Sequence, residues 1–201
     1  AIEAYLEHKN SEQFRNYIYR ENHRGKGKPK YTEYLSISYY KNKIKTLLKG
    51  RIQNKIEYDD FDYSRNSFVL FLPAKANNWR ADFISPYYNN SADIIKNIAI
   101  SLPLSHSLVV KDHPHSLTGA DFGLAEECKK YSNVIYINPR INTIDIIKAS
   151  DIVFSVTSFS GIDALFCLKH LAIFGEPPYF FGKYDAPVMK VSGYDRLPSI
   201  I

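Results

Sequence analysis

The sequence predicts an α/β fold, a Rossmann-like parallel sheet with helices on both faces, preceded by a mainly helical segment. From about residue 66 onward, short apolar runs alternate with longer segments whose apolar residues recur at helical spacing. These longer segments can return each strand in the same direction, as parallel strands require. The 201 residues, 45% of them hydrophobic, suffice for one substantial core.

Five apolar runs are predicted as buried strands, because each is short and is followed by polar or turn-forming residues. They span residues 67–73, 106–112, 133–138, 151–156 and 170–175. Four helices are predicted between them, over residues 91–103, 120–132, 142–150 and 160–168. Ser91 is the predicted cap of the first helix, and Asn142 or Thr143 is the predicted cap of the third.

The first 65 residues carry the whole excess of positive charge. They contain 14 Lys and Arg against 9 Asp and Glu, whereas residues 66–201 contain 12 of each kind. Apolar residues recur at helical spacing among lysines between residues 39 and 55, which predicts a helix there. We therefore predict a basic, mainly helical linker segment over residues 1–65 and a Rossmann-like domain over residues 66–201.

The basic segment admits two interpretations. The favoured one is a solvated linker helix, since runs of charge usually mark exposed faces. The alternative is a surface that contacts an anionic membrane or an anionic polymer. Tyr31, Tyr34, Tyr39 and Tyr40 would suit stacking on nucleic acid bases, but no nucleic-acid-binding signature accompanies them. We therefore predict no nucleic acid partner.

The sequence predicts neither a membrane span nor a secretory signal. No apolar run approaches the roughly 18 residues that a membrane helix needs. Cys128 and Cys167 lack metal-ligand spacing, so we expect free thiols in a reducing compartment and no metal site. We predict a cytoplasmic protein, with peripheral attachment to the inner face of the plasma membrane as the alternative. The absence of an initial methionine and of a closing helix indicates a piece of a longer polypeptide.

Polar residues collect where three predicted strands end. These ends read KDHPH at 111–115, SVTSFSGID at 155–163 and FGEPPYF at 174–180. Ligands of α/β proteins bind at the carboxyl ends of the strands. Lys111 and His113 are therefore candidates for contacting an anion.

The second strand end combines hydroxyl groups with the start of a helix. Thr157, Ser158 and Ser160 supply the hydroxyls, and Gly161 permits close approach of a ligand. With the N–H groups of a helix amino terminus they form a candidate phosphate site. The structural alternative is that the serines cap the helix and that His113 is a turn residue. The chain contains neither G-x-G-x-x-G nor the loop G-x-x-x-x-G-K, so sites of those two kinds are not predicted.

These motifs resemble the capsular polysaccharide synthesis protein family. Its pattern is roughly K-E-H-P, then a helix, an aspartate and a strand, then a small-polar-Gly-x-Glu-Ala-Leu turn, and then Lys-Pro with a glycine-tyrosine loop. VVKDHPHS at 109–116 and the segment 141–180 match this pattern, and the similarity covers about residues 67–182. The resemblance implies the carboxyl-terminal half of a GT-B glycosyltransferase, which holds the nucleotide-sugar donor.

For the site, the resemblance implies that the phosphate of a CMP-linked sugar contacts His113 and either Ser158 or Ser160. Lys111 and His113 are the candidate catalytic residues, because cationic groups stabilise the charge that grows on the leaving phosphate. The candidate nucleotide-binding residues are Thr157, Ser158, Ser160, Gly161, Asp163 and Glu176. No further cofactor is predicted.

Three positions depart from the family pattern. Asp112 and Asp163 stand where glutamate is usual, which shortens the reach of each carboxylate by one methylene, and His170 stands where proline is usual. A ribose contact is the role that the pattern implies for Asp163.

The predicted function is transfer of a sugar to a saccharide or lipid-linked saccharide acceptor in bacterial capsular or surface polysaccharide synthesis. Two alternatives stay open: a CDP-alditol transferase of the teichoic-acid type, and a non-catalytic nucleotide-binding scaffold module. No general base stands out in the sequence, which favours donor binding without turnover by this chain alone.

Overall fold

The computed structural model of the chain describes most of the predicted Rossmann-like domain. The described residues are 40, 44, 56–63, 67–74, 85–113, 122–176 and 187–201. Contacts divide the chain into two compact units, residues 1–57 with 117–120 and residues 58–116 with 121–201, and the sheet lies in the second unit. The predicted basic helical segment lies almost wholly outside the described residues, so the division at residue 65 stays a prediction.

Six parallel strands form one sheet in the order β3-β2-β1-β4-β5-β6. The strands are β1 Phe68–Leu72, β2 Ser107–Lys111, β3 Val134–Ile137, β4 Ile152–Ser155, β5 His170–Phe174 and β6 Val188–Val191. Every neighbouring pair runs parallel. The five predicted strands are confirmed, each to within one residue at either end.

Helices cover both faces of this sheet, as predicted. In the described part of the chain they are α1 Ser91–Ser101, α2 Phe122–Cys128, α3 Thr143–Ala149, α4 Ser160–Phe166 and α5 Leu197–Ile200. Helices α1 and α2 contact each other and lie against β2 and β3, whereas α3 and α4 contact each other and α4 lies against β4 and β5. The two helix pairs therefore pack on opposite sides of the parallel sheet.

Two asparagines cap the helices that follow β1 and β3. The Asn90 side chain accepts the N–H of Ala92 at 3.1 Å, so the predicted cap Ser91 is wrong by one residue. Asn90 takes the cap because its backbone is extended, whereas Ser91 is already helical. Asn142, one of the two predicted caps of α3, accepts the N–H of Ile144 at 3.1 Å and is confirmed.

The sequence analysis missed β6 and α5. Strand β6 reads VMKV, and only Val191 among its residues is buried, so it lacks the apolar run that marks the other strands. As an edge strand it accommodates the exposed Lys190. Helix α5 is a single turn of four residues, too short to show helical periodicity, and its presence corrects the expectation of no closing helix.

One core cluster lies between the sheet and the pair α3 and α4. The register aligns Val109, Leu70, Val153 and Leu171 in one row across four strands, and all four are fully buried. The helices contribute Ile146, Ile147, Ala164 and Leu165 to this cluster. Burying each large aliphatic side chain stabilises the fold by about 1.5–3 kcal/mol. This packing holds the strands, and hence their carboxyl ends, in fixed positions.

The segment before β1 covers the edge strand β3. The Asp59 N–H donates to the Tyr136 carbonyl at 2.9 Å, and the Asp59 carboxylate accepts the Tyr136 N–H at 2.8 Å. The ring of Phe61 packs edge-to-face on Phe68, with centroids 5.4 Å apart. These residues, which the sequence analysis assigned to the basic segment, therefore contact the sheet.

The strand order reverses beside β1. From β1 the chain builds β2 and β3 on one side, and then crosses to build β4, β5 and β6 on the other. In doubly wound sheets of this order, ligands bind in the crevice at the carboxyl ends of the strands, at the point of reversal. The fold therefore places the candidate residues around the carboxyl end of β1.

Candidate functional site

The three polar strand ends share one edge of the sheet but are not all neighbours. Strand β1 lies between β2 and β4, and β5 lies beyond β4. Neighbouring strands are about 4.8 Å apart, so the ends of β2 and β4 are separated by about 10 Å. A ligand that contacts both ends must therefore cross the carboxyl end of β1.

Lys111 ends β2 with its ammonium group in the interior. The residue is 3% exposed, and its Nζ donates to the carbonyl of Pro139 at 3.1 Å. Burial lowers the pKa of Lys111 to about 8, an effect that the nearby Asp112 carboxylate only partly opposes. The contact ties the end of β2 to the turn before α3. The structure thus gives Lys111 an anchoring contact, and its catalytic role stays a prediction.

His113 lies two residues beyond β2 and has an exposed side chain. Its backbone N–H donates to the carboxylate of the buried Asp112 at 2.6 Å. The other carboxylate oxygen of Asp112 lies 3.5 Å from the hydroxyl of Tyr136. Asp112 is the first residue beyond β2, and its carboxylate lies near Tyr136, whereas the Lys111 ammonium contacts Pro139. The turn therefore exposes the His113 imidazole, while the buried Asp112 carboxylate holds the backbone of the turn.

The turn after β4 uses several of its polar groups internally. The Ser158 hydroxyl accepts the N–H of Ser160 at 3.2 Å. The Gly161 N–H donates to the Ser158 carbonyl at 3.0 Å, and the Ile162 N–H donates to the Phe159 carbonyl at 2.9 Å. The first N–H groups of α4 thus have acceptors within the turn. Phe159 is the N-cap residue and makes no side-chain cap hydrogen bond, so the structural alternative that the serines cap the helix is not borne out.

Two hydroxyls at the end of β4 are buried and have no hydrogen-bond partner among the described residues. They are Ser155 Oγ and Thr157 Oγ1. Burying a hydroxyl without a partner costs about 1–3 kcal/mol, so such groups usually have a further role. Thr157 was a candidate, whereas Ser155 was missed because it continues an apolar strand. Thr157 lies just past the strand, in the turn that borders the crevice.

Gly161 and Asp163 both lie within α4 and are buried. Asp163 is 3% exposed and occupies the first turn, where a carboxylate interacts favourably with the helix dipole. This position supports a structural role for Asp163. The predicted ribose contact stays a prediction.

Glu176 follows β5, is exposed, and forms an ion pair with Lys190 of β6. The preceding Gly175 has a φ of 92°, and a Cβ there would lie 1.7 Å from Ser85 Oγ. Ser85 Oγ in turn donates to the carbonyl of Phe174 at 3.2 Å. Glycine is therefore required here, and it lets the segment after β1 pack on the end of β5.

An aromatic cluster that the sequence analysis missed lies beside the end of β5. The Tyr88 ring is 5.2 Å from that of Phe174 and 5.6 Å from that of Tyr194, between centroids. Burial, with a smaller contribution from Asp93, raises the pKa of Tyr194 to about 12. Residues so distant along the chain leave no local signal, because only the fold brings them together.

Within the described ranges, no group of three or more His, Cys, Asp and Glu residues is arranged to hold a metal ion. Cys128 and Cys167 are both unpaired, and burial raises the pKa of Cys128 to about 12. Among the helices that the structure describes, none is both long enough and apolar enough to cross a membrane.

Solved structures with a similar fold include two of KpsC from Thermosulfurimonas dismutans. The beta Kdo 2,4 transferase has a TM-score of 0.50 and 16% identity, covering 82% of this chain and 56% of its own. The beta Kdo 2,7 transferase has a TM-score of 0.49 and 19% identity, covering 78% and 52%. Anabaena Alr3699/HepE, solved with UDP-glucose, has a TM-score of 0.48 and 13% identity, covering 76% and 41%. This chain thus spans about half the length of these structures, and the first similarity supports the fold.

No curated protein matches the sequence. A family model described as capsule polysaccharide biosynthesis protein matches residues 7–182. This range contains the sheet from β1 to β5 and all three polar strand ends. Because the match covers most of the 201 residues and includes the motifs around His113 and Ser158, this chain belongs to the capsule polysaccharide biosynthesis protein family.

Proposed function

We propose that this chain is the donor-binding part of a glycosyltransferase that uses a CMP-linked sugar in bacterial capsular or surface polysaccharide synthesis. One observation carries the proposal: the exposed His113 and the buried Thr157 hydroxyl, which has no hydrogen-bond partner among the described residues, flank the carboxyl end of β1, where the strand order reverses. Membership of the capsule polysaccharide biosynthesis family supports the biological process. The doubly wound topology supports a nucleotide ligand in this crevice.

The spacing of the two strand ends favours an extended ligand over a lone phosphate. The ends of β2 and β4 are about 10 Å apart, on either side of β1. A nucleotide-sugar carries acceptor oxygens on its phosphate, ribose and sugar, so different parts of one molecule can contact the two ends. His113 and Thr157 need not share a single oxygen atom.

In the proposed reaction an acceptor hydroxyl attacks the anomeric carbon of the donor sugar. The bond from that carbon to the phosphate oxygen breaks, and negative charge grows on the departing nucleotide. Hydrogen-bond donors fixed in advance stabilise this charge more in the transition state than in the ground state. We assign this role to protonated His113 and to the hydroxyls of Thr157 and Ser158. The acceptor proton passes to a general base that is not among these residues.

Nucleotide binding tests the proposal. We expect CMP to raise the thermal unfolding temperature more than CDP, UDP or GDP, since a ligand at 100 times its dissociation constant adds about 2.7 kcal/mol. The His113→Ala variant should bind CMP about tenfold more weakly, the loss expected for a hydrogen bond to a charged group. His170→Ala is the matched control, because His170 is also exposed but begins β5, at the amino ends of the strands and away from the crevice.

The outcomes separate the alternatives. Failure of every nucleotide to stabilise the protein would overturn the proposal, and stabilisation by CDP alone would favour a CDP-alditol transferase.

For the complete protein we propose a saccharide or lipid-linked saccharide acceptor and a cytoplasmic location, with peripheral contact to anionic membrane through residues 1–65. Donor binding by the complete protein without transfer to any acceptor would favour a scaffold module.

A further inference from the structure

A buried carboxylate connects the turn that bears His113 to the interior of the sheet. One oxygen of Asp112 accepts the His113 backbone N–H at 2.6 Å, and the other lies 3.5 Å from the Tyr136 hydroxyl. Asp112 and Tyr136 are each only 4% exposed. Asp112 therefore joins a buried phenol to the first backbone group of an exposed turn.

Tyr136 makes three further contacts, two through its backbone and one through its ring. The Asp59 N–H donates to the Tyr136 carbonyl, and the Asp59 carboxylate accepts the Tyr136 N–H, where the segment before β1 covers the edge strand β3. The ring of Tyr58 packs on the ring of Tyr136, with centroids 5.5 Å apart and planes tilted by 34°. The Tyr136 hydroxyl is therefore attached to a rigid support on β3.

The surroundings of Tyr136 keep its hydroxyl protonated, so that it can donate a hydrogen bond. Burial raises the pKa of Tyr136, and the charge of Asp112 raises it further, so the hydroxyl stays protonated across the physiological range. Burial and Asp112 likewise raise the pKa of Tyr58, against an opposing effect of Arg140. A carboxylate can only accept, and a protonated phenol beside it has a hydrogen to donate.

We propose that Tyr136 is a positioning residue for His113: its hydroxyl orients the Asp112 carboxylate, whose second oxygen fixes the start of the His113 turn. The O···O distance of 3.5 Å is longer than a strong O–H···O bond. The part of the inference that concerns ligand affinity rests on the proposed function, whereas the effect on the turn does not.

The first experiment needs no ligand. In Tyr136→Phe, which removes only the hydroxyl, the His113 backbone amide should exchange its hydrogen about tenfold faster by NMR, because its acceptor loses the contact with that hydroxyl. Tyr131→Phe is the matched control: it removes a tyrosine hydroxyl that bonds to Glu127 at 3.0 Å, away from the turn. Asp112→Asn, whose neutral amide oxygen is a weaker acceptor, should also accelerate the exchange and serves if Tyr136→Phe fails to fold. Unchanged exchange in the folded variants would overturn the inference.

The second experiment is a double-mutant cycle with CMP as the probe. Tyr136→Phe should weaken CMP binding about tenfold in the native background and have no further effect in His113→Ala, because Tyr136 acts through His113. An equal loss in both backgrounds would show that Tyr136 supports the fold generally and would overturn the positioning role. If the native protein binds no nucleotide, the proposed function fails, and hydrogen exchange at His113 alone decides the inference.

Discussion

Lys111 and His113 lie two residues apart and have opposite environments. Lys111 is buried with its ammonium on the Pro139 carbonyl, whereas His113 is exposed at the edge of the sheet. The difference follows from the end of β2: residue 111 is the last in the strand and faces a covered surface, and residue 113 is past it. Of the two candidate catalytic residues, His113 is therefore the better placed to meet a ligand.

The burial of Lys111 has a consequence for stability. Its pKa is about 8 in the folded protein and 10.5 when exposed, so between these values the unfolded chain binds more protons. The free energy of unfolding of the native protein should therefore rise with pH from 8 to 10.5, whereas that of Lys111→Met should lack this rise. The difference in the free energy of unfolding between the native protein and Lys111→Met should change by about 3 kcal/mol across that range. Urea unfolding at pH 7.5 and 10.5 measures it, and parallel pH profiles would show that the ammonium is not desolvated.

The buried Thr157 hydroxyl should lower the free energy of unfolding and strengthen the binding of CMP. Thr157→Val replaces a buried hydroxyl, which has no hydrogen-bond partner in the part of the chain that the structure describes, by a methyl group of similar shape, so we expect about 1 kcal/mol higher free energy of unfolding. The same variant should bind CMP more weakly, by calorimetric titration. Ser155→Ala is the control, since Ser155 is fully buried within β4 and should gain stability with no change in affinity. Stabilisation of both variants without any loss of affinity would remove Thr157 from the site.

At the level of secondary-structure elements, α4 ends in a Schellman motif. The N–H of Lys169 donates to the Ala164 carbonyl at 3.0 Å, and that of Leu168 donates to the Leu165 carbonyl at 3.0 Å. Leu168 occupies the left-handed position with a φ of 56°, which usually holds glycine. A leucine there is strained, because its Cβ approaches the following carbonyl.

Leu168→Gly should therefore stabilise the protein. The left-handed conformation costs a leucine about 1–2 kcal/mol, and the greater freedom of glycine in the unfolded chain offsets about 0.4–1 kcal/mol of the gain. Little apolar burial is lost, since Leu168 is 62% exposed. Thermal unfolding should show a net gain of up to about 1.6 kcal/mol. Leu168→Ala retains the Cβ and should show no gain, and a gain equal to that of Leu168→Gly would refute the strain.

At the scale of the whole molecule, we predict that the segment before β1 belongs to the folded domain. Asp59 makes two hydrogen bonds to Tyr136, and Phe61 and Tyr63 pack against the core. A polypeptide of residues 56–201 should therefore be more stable than one of residues 66–201. Two hydrogen bonds and one aromatic pair together predict a difference of about 2–4 kcal/mol in the free energy of unfolding.

Denaturant unfolding of the two polypeptides measures this difference. A third polypeptide, residues 56–201 with Asp59→Ala, isolates the hydrogen bond from the carboxylate to β3 and should lie between them. Equal stability of the first two would place the domain boundary at residue 65, as the sequence analysis predicts. It would also show that the contacts of residues 56–63 with the sheet do not stabilise the domain.

The sequence by itself determined the α/β class and most of its elements. The strands are continuous apolar runs because both faces of a parallel sheet are covered, and the helices carry the 3.6-residue period of a half-buried surface. The same local signals located the polar residues at the carboxyl ends of β2, β4 and β5. Strand β6 was missed because an edge strand with Lys190 lacks the apolar run on which the other predictions rest.

Only the tertiary structure decided how these ends are arranged. The strand order places β1 between His113 and the Ser158 turn, which no local pattern encodes, because order depends on which way each crossover turns. The fold also turned Lys111 inward and supplied Tyr136, whose hydroxyl meets Asp112 from a neighbouring strand. Hydrogen-bond partners distant in sequence are set by packing rather than by local propensity. The residue types at the polar strand ends could therefore be predicted from the sequence, whereas which of them the fold buries could not.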